Sequence, residues 1–590
     1  MQKFIKVHGI VISFSFIILL TFFLRTYQLS FVPPSISIDE MSFGYNAYSL
    51  LKTGRDEYGA FLPFTLRAYD DYRPALLSYL IIPSIKLFGL NAFGIRFTSV
   101  ILSLLTLVAL YRIVLLLFSI SATKNKSSPK QQKGNTYKII ALWVVFFYSI
   151  SPWNIYLSRL ALDTNAGLAF FSIGLWIFFE YIANKKLLLL LGAFILFAIS
   201  FYAYNGIKIF IPFFLIALIL LFYKTVLERK KEIIIAAILF VIILSPLLLT
   251  FLNTTNLTRF TSLDFFTQED QIVLQTSSQR LLYENNDILG KIFDNRRLGI
   301  IPLFITNYLI NIDPTWLYAD DYEHEEYKTP DFGLFYFFEL PLFLFGLYSI
   351  VKEKIFSKNI FLLLICWILF SIIPAAVTYD TPSAVRIYTA LPAFLIIEGC
   401  GFYFLLQWLA TLKKVVSIFL SACAGLVILI SFVWFVHAYF VLLPYQDSQN
   451  FSYGASNAIQ YATSHEFSYK HIVISNRGDL EFSYIYYLFF THYDPEKYLK
   501  SGGTQSGDFS ANHFISKFAF INPNLFSLNN NVIKYNLNAL HKNTLYIIDV
   551  TDLPQDKKSD ADFFEKMKLL ETIRYLNNQD AIFIFTPKIS

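Results

Sequence analysis

Two adjacent carboxylates, Asp39 and Glu40, lie in the stretch "VPPSISIDEMSFGYNAYSL" (32–50). A carboxylate within hydrogen-bond reach of a hydroxyl can take its proton. Acids also favour the first turn of a helix, so the pair is open to a chemical or a structural reading. Arg73, in "YRP", offers a planar fork of donors suited to phosphate oxygens; alternatively its long side chain reaches for lipid headgroups. Arg159 and Asp163, in "SRLALDTN" (158–165), are four apart, the spacing that puts two side chains on one helix face as an ion pair. Residues 319–327, "ADDYEHEEY", gather five carboxylates around His324. Such an oxygen-rich run could bind a divalent cation, or stand as a solvated loop.

These residues are embedded in a chain of unusual composition. Of 590 residues, 55% are hydrophobic, 18% aromatic and only 15% charged, which excludes an ordinary soluble domain. A spanning helix needs roughly 20 mostly apolar residues, and about eleven stretches qualify: 8–25, 95–119, 138–157, 165–183, 187–204, 207–223, 233–252, 333–351, 359–378, 386–409 and 415–440. The first follows Lys3 and Lys6 and has no small-residue cleavage site, so it reads as a retained signal anchor. Basic clusters at Lys3/Lys6, 123–138, Lys185/Lys186, 224–232, 351–358 and Lys413/Lys414 fall in alternate loops. The positive-inside rule makes these loops and the N-terminus cytoplasmic. Asp39 and Glu40 then face the other side. Lys208 ("YNGIKIF") and Arg386 ("SAVRIY") sit at outer ends of their spans, against the usual charge bias, which favours an anionic partner for each. Glu339 and Glu398 fall inside spans, where a carboxylate costs about 2.5–3.5 kcal/mol, and are expected to face the bundle interior.

The net charge of +6 is spread over short loops instead of one basic face, which argues against nucleic acid. Cys366, Cys400 and Cys423 lie within apolar stretches and suggest no disulfide framework. No P-loop, G-x-G-x-x-G, H-E-x-x-H or metal-type cysteine spacing occurs. Two outer segments are long, 26–94 and 253–332, and long ordered loops tend to be functional. Each holds a stretch, 72–90 and 290–312, that reads as interfacial helix. We therefore divide the chain into a transmembrane module, 1–441, and a soluble extracytoplasmic domain, 442–590. In the latter, β-type runs at 471–476, 545–550 and 581–585 alternate with helical patterns at 454–465 and 560–576, which predicts a small α/β fold.

The order of several motifs carries a resemblance. "SIDEMSFGYNAYSLL" is followed by "YRPALLSYLIIPSIKLFGLNAFGIRFTSVILSLLTL", then "SRLALDTNAGLAFFSIGL" and "FYAYNGIKIFIP", and finally "DPTWLYADDYEHEEYKTPDFGLFYFFELPLFLFGL" and "IIPAAVTYDTPSAVRIYTALP". Over residues 1 to about 440 the chain resembles the polyprenyl-phosphate-sugar-dependent glycosyltransferases of the GT-C superfold. That group includes the protein O-mannosyltransferases (glycosyltransferase family 39) and the aminoarabinose transferases that modify lipid A.

The resemblance implies an α-helical polytopic membrane enzyme. It would move a sugar from a polyprenyl-phosphate donor to an acceptor hydroxyl on a protein, lipid or glycan at the outer face of the plasma membrane. Asp39 matches the family's base, and one base with no enzyme nucleophile implies inversion. Glu40 would orient acceptor or helix. Arg73 aligns with a basic residue that precedes proline in the aminoarabinose transferases, though Tyr72 replaces an acid expected before it, which counts against a metal ligand there. Arg159 and Asp163 match positions that shape the outer cavity, and His324 a recurrent position on the acceptor side. Arg386 and Lys208 would join Arg73 on the departing phosphate. No cofactor is required by this reading beyond a divalent metal ion, if the acidic run binds one. The rival class is a lipid or sugar transporter or flippase, but internal repeats, common in transporters, are not visible.

Overall fold

The structure is a computed structural model and describes residues 2–69, 71–124, 136–251, 296–319, 327–378, 380–507, 511–521, 526–529, 532–535, 543–553 and 565–588. The chain forms two compact units, one of residues 1–27 and 99–436, the other of residues 28–98 and 437–590.

The first unit is helical. Each of the predicted apolar stretches coincides with helix: Gln2–Thr26, Ala92–Lys124, Thr136–Ile150, Asp163–Asn184, Leu187–Phe201, Asn205–Leu221, Lys230–Phe251, Glu339–Lys352, Lys358–Ala376, Leu391–Ala410 and Lys414–His437. Among the described residues, six helical segments are long and apolar enough to cross a membrane. A seventh arises if Thr136–Ile150 and Pro152–Ser158, bent by 59°, are one span. Pro152 opens the second half of that pair, and a proline at a helix start tolerates the missing N–H.

Several polar side chains buried in the bundle are tied to backbone, which offsets the cost of an apolar surround. Arg25 is fully buried and donates to the Ser149 carbonyl at 2.8 Å, the Tyr148 carbonyl at 3.2 Å and Ser103 Oγ at 3.2 Å. Glu339 and Glu398 are buried completely, as expected of intramembrane acids. Glu339 Oε2 accepts from the Tyr336 amide at 2.8 Å, whereas neither oxygen of Glu398 has a hydrogen-bond partner among the described residues. Their helices touch backbone to backbone, since a Cβ on Gly346 would meet the Ile397 carbonyl oxygen, and one on Gly401 the Leu342 carbonyl oxygen, each at 2.1 Å. The three cysteines are free thiols.

The second unit joins a helical hairpin to a mixed sheet. Helix Ile38–Thr53 is followed by strands β1 (Thr65–Ala68) and β2 (Asp71–Pro74), paired antiparallel, and by helix Leu76–Phe88. Among the described residues the main sheet has six strands. Its members are β3 (His471–Ile474), β4 (His513–Ile515), β5 (Phe518–Phe520), β8 (Thr544–Asp549), β9 (Met567–Arg574) and β10 (Asp580–Pro587), in the order β4-β5-β3-β8-β10-β9. A separate hairpin pairs β6 (Phe526–Asn529) with β7 (Val532–Tyr535). The inner pair β3 and β8 is parallel, and β8, "TLYIID", is buried at every position, the continuous run expected of a strand covered on both faces.

The predicted helix over 560–576 is overturned in its described part, where Met567–Arg574 is strand β9. It pairs antiparallel with β10 from Arg574–Asp580 to Met567–Pro587. The turn between them, "YLNNQD", places Asn578 at φ 68°, a conformation asparagine tolerates in tight hairpins. Cross-strand pairing outweighed the helical spacing of the apolar residues.

Candidate functional site

The start of helix Ile38–Thr53 is fixed by its own sequence. Ser37 Oγ accepts from the Glu40 amide at 3.3 Å, and Glu40 Oε2 accepts from the Ser37 amide at 3.0 Å, a reciprocal capping box. The Glu40 carboxylate also receives a two-pronged ion pair from Arg96, with Nε to Oε1 at 2.8 Å and Nη2 to Oε2 at 2.9 Å. Both side chains are wholly buried. Arg96 reaches further, donating from Nη1 to the carbonyls of Leu29 at 3.1 Å and Pro33 at 3.2 Å. Glu40 is thus committed to holding the helix start against the chain that leads into it.

Asp39, one residue earlier, is in a different situation. Its Oδ1 accepts from Arg73 Nη1 at 2.9 Å, with the Asp39 side chain 49% exposed and that of Arg73 only 9%. The guanidinium is seated on aromatic rings, 4.7 Å from the Phe43 centroid and 5.5 Å from that of Tyr69, contacts that hold a cation by the ring quadrupole. Phe43 is four residues beyond Asp39 on the same helix, and Arg73 lies on β2 opposite Leu66 of β1. Tyr69 follows β1 with φ 54°, costly for a residue with a large side chain. It is held there by its hydroxyl, which donates to the Ile38 carbonyl at 2.8 Å, and by the Phe482 ring at 4.2 Å.

A third carboxylate belongs to the same unit. Glu57 is buried, with Oε1 accepting from Asn46 Nδ2 at 3.1 Å and Oε2 from Thr504 Oγ1 at 3.0 Å. Its own amide donates to Asn46 Oδ1 at 3.0 Å. Burial pushes the Glu57 carboxyl up to about 7, opposed by those two hydrogen bonds and, more weakly, by the charge of Arg73. Neither Glu57 nor Arg96 was singled out from sequence, although "TGRDEYGAF" and "NAFGIRF" display both.

The remaining expected residues lie in the first unit. Arg159 is fully buried and donates to the Leu24 carbonyl at 2.8 Å. It follows helix Pro152–Ser158, and Asp163 opens helix Asp163–Asn184. The expected sharing of one helix face is therefore wrong, because residues 159–162 connect two helices. Lys208 Nζ donates to Asn205 Oδ1 at 2.6 Å. Arg386 binds Asp380 through the Asp380 carbonyl and, at 3.1 Å, its Oδ2. Asp163 and Arg386 both lie within electrostatic reach of Tyr204. The loop carrying Arg386 is pinned by Asn311, which binds Thr381 Oγ1 and accepts from the Ser383 amide at 3.1 Å. His324 and the acids at 320–326 lie outside the described residues. Among the described residues no group of three or more His, Cys, Asp or Glu could hold a metal ion.

Chemically, the second unit therefore offers an accessible carboxylate able to take a proton and, against it, a guanidinium able to bind an anion. No family model matches the sequence, and no curated protein does. Solved structures do match. ArnT from Cupriavidus metallidurans bound to undecaprenyl phosphate is 10% identical and superposes with a TM-score of 0.54, over 98% of each chain. Its apo state gives 0.49 over the same shares at 10% identity. The archaeal oligosaccharyltransferase AglB from Archaeoglobus fulgidus, in complex with an inhibitory peptide and a dolichol-phosphate, gives 0.48 at 13% identity, with 83% of this chain spanning 64% of that one. The chain is a polytopic α-helical membrane protein with the fold of ArnT and a C-terminal sheet domain.

Proposed function

We propose that this protein is an integral membrane glycosyltransferase that moves a sugar from a polyprenyl-phosphate donor to an acceptor hydroxyl. The observation that carries the reading is the Asp39–Arg73 pair, an accessible carboxylate against a seated guanidinium, on a fold shared with a protein solved with undecaprenyl phosphate. Asp39 takes the acceptor proton as the acceptor oxygen attacks the anomeric carbon. The bond from that carbon to the phosphate oxygen breaks, and the electron pair leaves on the phosphate. A phosphate leaves without needing an acid, but its growing charge is stabilised by a fixed cation such as Arg73. One displacement with one base inverts the anomeric centre. The reaction runs at the outer face of the plasma membrane, with the N-terminus cytoplasmic and residues 442–590 outside, in keeping with the alternation of basic loops.

The reading is tested with purified protein, radiolabelled polyprenyl-phosphate sugars and a membrane extract as acceptor. The expected result is release of polyprenyl phosphate together with transfer of label to an acceptor of inverted anomeric configuration. Failure to consume any donor across a broad sugar panel contradicts the reading.

A further inference from the structure

We infer that Arg73 is a latch: it holds the Asp39 carboxylate until the phosphate of the donor lipid competes for the guanidinium and frees Asp39 to act as a base. This rests on the reading above and adds an order of events to it.

Three observations lead there. First, the two neighbouring acids have divided their tasks. Glu40, with Ser37 and Arg96, supplies the cap and the buried anchor of the helix start, so Asp39 can change partner without loosening the helix. Second, the member of the pair that is open to solvent is the carboxylate. Arg73 is mostly buried and stacked over Phe43 and Tyr69, whereas Asp39 is half exposed. A ligand that takes the guanidinium therefore releases Asp39 on its exposed side, where it can meet an acceptor hydroxyl. Third, the contact between them is made at a single oxygen, Asp39 Oδ1 to Arg73 Nη1. A phosphate matches the guanidinium fork with two oxygens and is the stronger competitor. While Asp39 Oδ1 accepts from Arg73 Nη1, the carboxylate is held on the guanidinium and is not free to turn to an incoming hydroxyl. With the latch, the base becomes competent only when donor is bound, which protects the site from acting on acceptor alone.

The consequence is unusual for a base: removing its charge should tighten donor binding. Undecaprenyl phosphate and, in parallel, inorganic phosphate are titrated into the full-length protein in detergent. Four forms are compared: wild type, Asp39→Asn, Arg73→Gln and the double variant. Asp39→Asn is expected to bind both ligands on the order of threefold more tightly, the size of a partly exposed ion pair. In the Arg73→Gln background the same change is expected to have no effect, since no latch remains to be released. Asp39→Ser removes the same charge and should reproduce the shift, so an ill-folded Asn variant does not decide the outcome. Unchanged or weaker binding by both Asp39 variants overturns the latch, as does equal tightening with and without Arg73, which would be repulsion of the anion alone. A shift confined to the lipid also overturns it, because the competition is for the phosphate group. Absence of wild-type binding to undecaprenyl phosphate overturns the donor reading and the latch together.

Discussion

Asp39 and Glu40 show how burial separates two chemically similar neighbours. Glu40 and Arg96 form a buried, fully hydrogen-bonded ion pair, and removing one member leaves the other charged and unpaired. Glu40→Gln or Arg96→Met should therefore cost about 3–5 kcal/mol in thermal unfolding of the detergent-solubilised protein, whereas Asp39→Asn, half exposed, should cost less than about 1 kcal/mol. Equal losses from Glu40→Gln and Asp39→Asn would contradict the division of labour. Glu57 gives a pH signature. Its carboxyl is raised from the ordinary 4.5 to about 7 by burial, so between those values the folded state holds more protons than the unfolded one. Stability from this group is present below about 4.5 and is lost as pH rises through about 7, on the order of 3 kcal/mol. Glu57→Gln mimics the protonated form and should gain on wild type by that amount between pH 5 and pH 8. The difference between the two proteins isolates Glu57 from Asp447 and Asp479, each pushed up to about 6 by its own burial. A flat difference would show that Glu57 does not titrate in that window. The sequence presented Asp39 and Arg73 through residue type and the order of neighbouring motifs. Arg96 and Glu57 were not legible, because their meaning lies in distant partners: Arg96 finds Glu40, and Glu57 finds Thr504 from the opposite end of the chain.

At the level of elements, the helix that carries Asp39 is positioned by a close approach at Gly44, where an added Cβ would lie 2.8 Å from the Phe489 ring and 2.9 Å from Ile95 Cγ2. Ser78 Oγ fastens helix Leu76–Phe88 to the same turn by donating to the Phe43 carbonyl at 2.9 Å. Gly44→Val should overpack this junction, cost about 1–3 kcal/mol, and lower turnover by displacing Asp39 from Arg73. Turnover and unfolding temperature equal to wild type would show that the junction tolerates the added volume. Period-based reading recovered the apolar helices and three strands of the main sheet, since long uniform runs leave little choice of element. It failed for Met567–Arg574, whose alternation is weak and whose state is set by β10 beside it. It failed also for Arg159 and Asp163, because helix spacing was applied across a break between two helices.

For the whole molecule, hydropathy and loop charge gave the membrane class. They could not give the grouping of residues 28–98 with residues 437–590 in one compact unit, which depends on contacts between segments far apart in the chain. The proposed topology places Ser501, exposed after helix Pro495–Lys500, outside the cell. In intact cells, a membrane-impermeant thiol reagent should label a Ser501→Cys variant and leave wild type, whose cysteines lie in apolar helices, unlabelled. Labelling only after permeabilisation would invert the topology. Central to the proposed transfer is the Asp39 carboxylate acting as the base. The decisive measurement is single-turnover sugar transfer by wild type and Asp39→Asn, at saturating polyprenyl-phosphate donor and matched folded protein. A loss on the order of a hundredfold or more is predicted, the usual size of a base contribution. Transfer at the wild-type rate by the Asn variant would contradict it.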